Sequence, residues 1–320
     1  MKEKGGPALS VILATAGQFS SIRATFRHLQ SQTIARFLEV IILAPRTDDF
    51  GLEPAARADF YDVQLVPLGR VLPLANANAE GARRASAPIV VFAEDHAFPE
   101  PGWAAALVAR HREDWAAVGP VVKNANPQSA ISWADYLMNY GPWHLHHPGG
   151  PAKMLPGHNS SYKRTVLLAL GDDLAPALRA ESVLHEALRK RGERLYLENL
   201  ARIAHLNFGC TAAFCRIQFL CGRQFGGCRA EVWPISRRAL YAAAFPLIAL
   251  VRFFRILRFG VNLPARPSRL RIYLSLILGL FIDAAGQAAG YLFGTGSSSE
   301  WLTDYEYDRT RFVRSEERSP

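Results

Sequence analysis

The sequence holds only four cysteines in 320 residues, Cys210, Cys215, Cys221 and Cys228, and their irregular spacing lacks the paired CxxC pattern of a zinc site. They read as reduced thiols in a cytosolic setting. A secretory signal is also missing from the start. The first apolar run, Leu9 to Ala14, is strand-length, with no longer hydrophobic region and no cleavage site. The part that begins with this run is therefore expected to stay in the cytoplasm. Lysine and acidic residues are scarce in one stretch: between Arg216 and Arg271 there are eleven arginines, no lysine and a single acid, Glu231. The net charge of +9 is concentrated where the chain is most hydrophobic. A bilayer surface explains such a distribution better than nucleic acid, which calls for basic and aromatic residues interleaved on one soluble surface.

A chain of this length can hold one large α/β domain with an appendage, or two modest domains. Three short apolar runs rich in β-branched residues, Leu9 to Ala14, Leu38 to Ala44 and Ile89 to Ala93, read as buried parallel strands. Between them lie helical patterns: Phe19 to Gln30, with Ile22, Phe26 and Leu29 on one side, and Leu74 to Ala85, whose small residues let a helix sit close to a sheet. This alternation predicts a doubly wound, mostly parallel α/β sheet. Such sheets bind ligands beyond the carboxyl ends of their strands, here Thr15 to Gln18, Pro45 to Asp49 and Glu94 to His96. After Pro120 the pattern loosens into Asn, Pro, Trp and His, including Trp133, Trp143, His144, His146 and His147. That stretch suits an acceptor-binding region, and a helix from Arg179 to Lys190 follows it.

The C-terminal third is predicted to be a hydrophobic, basic helical region. Ala239 to Phe259 carries Arg252, Arg255 and Arg258 at three-residue spacing, which reads as an interfacial helix. Leu270 to Phe293 is long enough to cross a ~30 Å hydrocarbon core, but Asp283 and Gln287 interrupt it. Gly286, Gly290 and Gly294 fall at four-residue spacing, a small-residue pattern that lets membrane helices approach closely and could support a homo-oligomer. The expected organisation is a catalytic domain over 1–210, a membrane-associating region over 211–294 and a flexible polar tail over 295–320.

The strongest local chemical signal is a buried strand that ends abruptly in Glu94, Asp95 and His96. Such a group could hold Mg²⁺ or Mn²⁺ against a diphosphate, with the metal neutralising the leaving group. A solvated loop with a chance acidic pair is the alternative.

The order and spacing of several motifs from Leu9 to Asn207 resemble the family 2 glycosyltransferases. Ser10 to Thr15 resembles their opening strand, Gln32 and Thr33 the Gln-Thr closing their first helix, and Asn78, Gly81 and Ala85 the helix before the metal strand. Glu94, Asp95 and His96 stand where the family's DxD motif stands, and Gly157, His158 and Asn159 resemble the turn before the acceptor site. Glu181, with Leu184, His185, Leu188 and Gly192, resembles the helix carrying the catalytic acid. The resemblance implies a nucleotide-sugar-binding (GT-A-like) fold. It also implies transfer of a sugar, with inversion, from a nucleoside-diphosphate sugar to a hydroxyl. A hydroxyl needs a carboxylate to take its proton as it attacks, and Glu181 is the candidate base. The alternative for Glu181 is an exposed carboxylate paired with His185 one turn on. Thr15, Asn78, Asp95, His158 and Asn159 are the expected substrate contacts; Glu94, Asp95 and His96, with His205 as a further contact, are the expected metal ligands. A lone histidine between apolar neighbours, as His205 is between Ala204 and Leu206, is more often a structural group than a ligand, and the His144, His146, His147 cluster fits no standard metal spacing.

Three departures from the family pattern bear on function. Pro45, Arg46 and Thr47 come where many members place adjacent acids for the nucleobase, with Asp48 and Asp49 displaced; the metal motif ends in His96; and the QxxRW signature of processive synthases is absent. A single-transfer enzyme is therefore expected. It would work on the cytoplasmic face of the cell membrane on a lipid-linked or cell-envelope glycan acceptor, with no nucleic-acid partner. A nucleotidyltransferase would show a Gly-rich, basic phosphate loop where Thr15, Ala16, Gly17 and Gln18 stand. The altered metal motif supports the alternative of a catalytically inactive membrane scaffold or partner subunit.

Overall fold

The computed structural model describes residues 5–307 and 309–313. The chain divides into two compact units, one made of Met1–Lys123 with Trp143–His205 and the other of Asn124–Pro142 with Leu206–Pro320. Each unit is thus discontinuous in sequence. The strands are β1 (Leu9–Ala14), β2 (Leu38–Ala44), β3 (Asp62–Pro67), β4 (Ile89–Ala93), β5 (Ala97–Pro99), β6 (Ala117–Asn124), β7 (Gly150–Ala152), β8 (Ser161–Lys163) and β9 (Leu195–His205). Helices α1 (Phe19–Gln30), α2 (Leu74–Arg84) and α3 (Trp103–Arg110) belong to the first unit, and α4 (Ala130–Tyr140) to the second. The first unit resumes with α5 (Arg164–Leu168), α6 (Leu174–Ala177) and α7 (Glu181–Lys190). Helices α8 (Thr211–Ala230), α9 (Ile235–Ala243), α10 (Phe245–Leu257), α11 (Arg269–Phe293) and α12 (Ser298–Tyr307) complete the second.

The first unit is α/β, built on one sheet of strand order β3-β2-β1-β4-β8-β6-β9-β5, with β7 added on β9. Strands β3, β2, β1 and β4 pair in parallel. Strand β1 is buried along its whole length, as expected of a parallel strand covered on both faces. Helix α2 lies close to it because Gly81 has no side chain: a β-carbon there would come 2.5 Å from Ile12 Cγ2. The buried Glu39 in β2 accepts from Gln64 Nε2 at 2.9 Å, the Ser86 amide at 2.8 Å, the Ser86 hydroxyl at 2.7 Å and the Ser10 hydroxyl. A buried carboxylate in a sheet is tolerable when its lone pairs are met in this way.

The other arm of the sheet is antiparallel, with β8 between β4 and β6, and β5 on β9. Strands β5 and β8 are three residues each, too short to leave a period in the sequence. Their pairing brings residues far apart in the chain to the end of β4.

In the second unit, α8 and α11 pack backbone to backbone. A β-carbon at Gly222 or Gly226 would collide with the carbonyl of Asp283 or Gln287, and one at Gly286 or Gly290 with the carbonyl of Phe219 or Arg223. Gly286 and Gly290, which offered an oligomer contact, are thus occupied within the chain, while Gly294 (φ 75°) caps α11. The polar interruptions of α11 are also met internally: Asp283 pairs with Arg252 and accepts from Gln287 Nε2 at 2.6 Å.

The expected flexible tail is folded in part. Helix α12 buries Tyr305 and Tyr307, and Arg309 lies over the Phe208 ring at 4.1 Å. These two tyrosines give α12 a packing side that its polar composition hides. Residues 314–320 of that tail lie outside the described residues.

Candidate active site

Strand β4 delivers its last residue, Ala93, to the sheet edge, and Glu94, Asp95 and His96 follow before β5 begins. All three are buried, at 5%, 6% and 1% exposure, which rules out a solvated loop. Pairing of β5 with β9 sets Ala97 opposite His205 and so brings that imidazole beside His96, ring centroids 4.9 Å apart and edge to face. Glu94, His96 and His205 each offer one ligand atom, and these atoms lie within 4.8 Å of one another. His96 Nε2 is 3.4 Å from Glu94 Oε1, and His205 Nε2 is 3.7 Å from Glu94 Oε2.

Asp95 takes a different place from its neighbours, one shell behind this group. Its Oδ1 lies 2.5 Å from His96 Nδ1. A carboxylate can only accept, so Nδ1 carries the proton, and Asp95 holds the ring with Nε2 toward Glu94.

A second element is the turn before β8. Asn159 adopts a left-handed conformation (φ 63°), which asparagine tolerates better than most residues. Its amide donates to the Phe92 carbonyl at 2.7 Å and its side chain to Glu94 Oε2 at 2.9 Å. These bonds tie the turn to the end of β4. His158 then bridges two carboxylates, with Nδ1 3.9 Å from Glu94 Oε1 and Nε2 3.4 Å from Glu181 Oε1.

Burial alone would push the Glu94 carboxyl up. His158, His96 and His205 more than reverse that, holding it well below the usual carboxylate range.

Glu181 opens α7, where its charge meets the positive end of the helix dipole. It is partly exposed and pairs with His158. The alternative pairing with His185 does not form. His185 is fully buried, 3.0 Å from the Tyr162 hydroxyl, and burial, with Arg189 nearby, pushes it down to about 4. Nothing in the residue pattern pointed to the part played by Gly157: a β-carbon there would collide with the Glu181 carboxyl group.

Two expected contacts lie on other elements. Thr15, after β1, is engaged in its own turn, accepting from the Gly17 amide at 3.1 Å and sharing a hydrogen bond with Ser21 at 2.9 Å. Asn78 is buried on α2, and its Oδ1 has no hydrogen-bond partner among the described residues. The group at Glu94 includes none of His144, His146 and His147.

A family model described as Glycosyl transferase family 2 matches residues 10–171. The chain belongs to glycosyltransferase family 2 and is a glycosyltransferase. The match takes in Glu94 to His96 and the Gly157 to Asn159 turn, while Glu181 and His205 lie beyond it. No curated protein matches the chain.

Among solved structures the chain is similar to GalNAc-T7 crystallised with UDP, GalNAc and Mn²⁺, at 14% identity and TM-score 0.49, covering 64% of this chain and 44% of that one. It is also similar to the mannosyltransferase PcManGT of Pyrobaculum calidifontis in complex with GDP-Man and Mn²⁺, at 17% identity and TM-score 0.48, covering 97% and 84%. Residues 1–349 of S. aureus TarS match at 14% identity and TM-score 0.47, covering 88% and 90%. The chain thus spans less than half the length of GalNAc-T7.

Proposed function

We propose that this glycosyltransferase moves a sugar, with inversion, from a nucleoside-diphosphate sugar to a hydroxyl of a lipid-linked or cell-envelope glycan. It does so on the cytoplasmic face of the cell membrane. The observation that carries this reading is the link, through His158, between the buried Glu94, His96, His205 group and Glu181.

Two imidazoles and a carboxylate fit a divalent ion, and they favour Mn²⁺ over Mg²⁺, which prefers all-oxygen ligands and keeps its waters. Glu94, His96 and His205 would hold the ion, which when bound would neutralise the departing diphosphate. Asp95 fixes the His96 ring from behind. Glu181 takes the acceptor hydroxyl's proton as that oxygen attacks the anomeric carbon. The bond to the diphosphate oxygen breaks on the opposite side, so the configuration inverts.

Asn78 Oδ1, buried and without a partner, offers an acceptor for a donor group of the nucleotide sugar. His158 and Asn159 line the same end of β4 as Glu94, and Thr15 shapes the loop after β1. The membrane part of the proposal is supported by exposed apolar residues on α9, α10 and α11 beside exposed arginines.

The test is a nucleotide-sugar binding and turnover panel on the detergent-purified chain, with and without Mn²⁺ or Mg²⁺. One nucleotide sugar is expected to bind in a metal-dependent way. Asp95→Asn should weaken metal binding by about 10- to 100-fold, and Glu181→Gln should abolish turnover while sparing binding. If no nucleotide sugar binds with either ion, an inactive scaffold replaces this reading.

A further inference from the structure

We propose that α9, α10 and α11 lie in the plane of one leaflet as a platform for anionic lipid, and that α11 does not cross the bilayer. The proposal rests on the membrane association put forward above and adds its geometry.

At 25 residues, α11 would extend about 37 Å, so length alone permits a span. Its packing partner does not. Helix α8 runs along it, from Phe214 against Gly279 to Gly227 against Thr295. Over the same 20 residues α8 carries Arg216, Arg223 and Arg229 together with Gln218 and Gln224. The Arg223 backbone stands level with Gly286 and Gly290, and its Nε donates to the Gly294 carbonyl at 3.2 Å, at the end of α11. Because the two backbones touch, sinking α11 through the hydrocarbon would drag α8 with it and carry Arg216 and Gln218, which lie between the levels of Gly279 and Gly286, to its middle, which is strongly unfavourable.

The neighbouring helices do not supply a span either. Helices α9 and α10 have 9 and 13 residues and meet at a 66° bend.

What α10 and α11 do expose is a lateral apolar surface. On α10, Leu247, Leu250 and Phe254 are exposed opposite the buried Ala249 and Ile256; on α11, Leu270, Leu274 and Ile277 are exposed opposite the buried Ile272 and Leu276. The Arg252–Asp283 ion pair joins the two helices. Arg255 and Arg258 flank the exposed side of α10, and Arg266, Arg269 and Arg271 are exposed around the start of α11. Apolar side chains beside arginines, without acids among them, complement the acyl and phosphate layers of an anionic leaflet.

The experiment uses inside-out membrane vesicles from cells making the full chain, with cysteines introduced as Ala265→Cys and Ser297→Cys beyond the two ends of α11. An impermeant maleimide is applied before and after detergent, and labelling is read peptide by peptide by mass spectrometry. Both positions should react to the same extent without detergent. If one reacts only after detergent, α11 crosses the bilayer and the in-plane arrangement fails. If the chain is absent from the membrane fraction, the membrane association itself fails. In a parallel arm with purified chain, phosphatidylglycerol in phosphatidylcholine vesicles should raise partitioning at least tenfold, and Phe254→Glu should reverse most of that gain. Equal partitioning onto neutral and anionic vesicles overturns the lipid preference.

Discussion

The Glu181 carboxyl group lies over the α-carbon of Gly157, in the space where any other residue would carry its side chain. The turn residue therefore decides where this carboxylate, the proposed base, can stand. A methyl group added there meets the end of a flexible side chain, not backbone, so Glu181 swings aside and the fold survives. Gly157→Ala is expected to leave the melting temperature nearly unchanged and to reduce turnover about 100-fold, the usual result of displacing a catalytic group by an ångström. Parallel thermal melts and turnover measurements check this. A loss of stability matching the loss of activity would reject it.

The α8–α11 contact predicts the opposite behaviour. A β-carbon at Gly222 or Gly286 meets a main-chain carbonyl that cannot move without shifting a whole helix. Either residue changed to alanine should cost about 2 kcal/mol or more, read as a lower urea midpoint.

Removing one member of the pair between Arg252 and Asp283 leaves the other charge without its partner. Arg252→Ala is expected to destabilise the chain by about 3 kcal/mol. The double change Arg252→Leu, Asp283→Leu should recover most of that loss, because apolar residues of similar volume leave no charge behind. Denaturant titration of the two single variants and the double variant tests the coupling.

Two buried histidines give a pH dependence with a definite sign. Burial is the main cause that pushes His111 and His185 down to about 4. An unfolded chain returns them to about 6.5. Between these values the unfolded state binds more protons than the native one, so their contribution to stability is complete above about pH 6.5 and is lost as pH falls toward 4. Each should contribute a loss of about 2 kcal/mol between pH 7 and pH 5. The gap in urea midpoint between wild type and His185→Gln should therefore narrow over that range; a constant gap would show that His185 does not titrate there.

Three of the four parallel strands were legible because β1, β2 and β4 are largely apolar runs, and Glu94 to His96 stood out as an abrupt polar end to one of them; β3, half-buried and carrying Asp62 and Gln64, was not. The antiparallel half was not. Ser161–Lys163 and Ala97–Pro99 are too short to carry a period, yet their pairing is what sets His205 beside His96. His185 showed helical spacing from Glu181, but spacing could not tell that its ring turns into the core toward Tyr162. Nor could composition show that Gly286 and Gly290 meet α8 of their own chain. Such facts depend on which distant segments share a layer.

The alternation of the two units along the chain limits how it can be divided. The backbone passes from one unit to the other after Lys123, after Pro142 and after His205. A protein shortened at the last crossing would keep α4, with Ile131, Tyr136 and Leu137 buried in the full chain, but lose α8 and α11, which pack against that helix. The amino-terminal stretch to His205 is thus no free-standing module: synthesis of its last strand leaves an apolar helix waiting for partners not yet made.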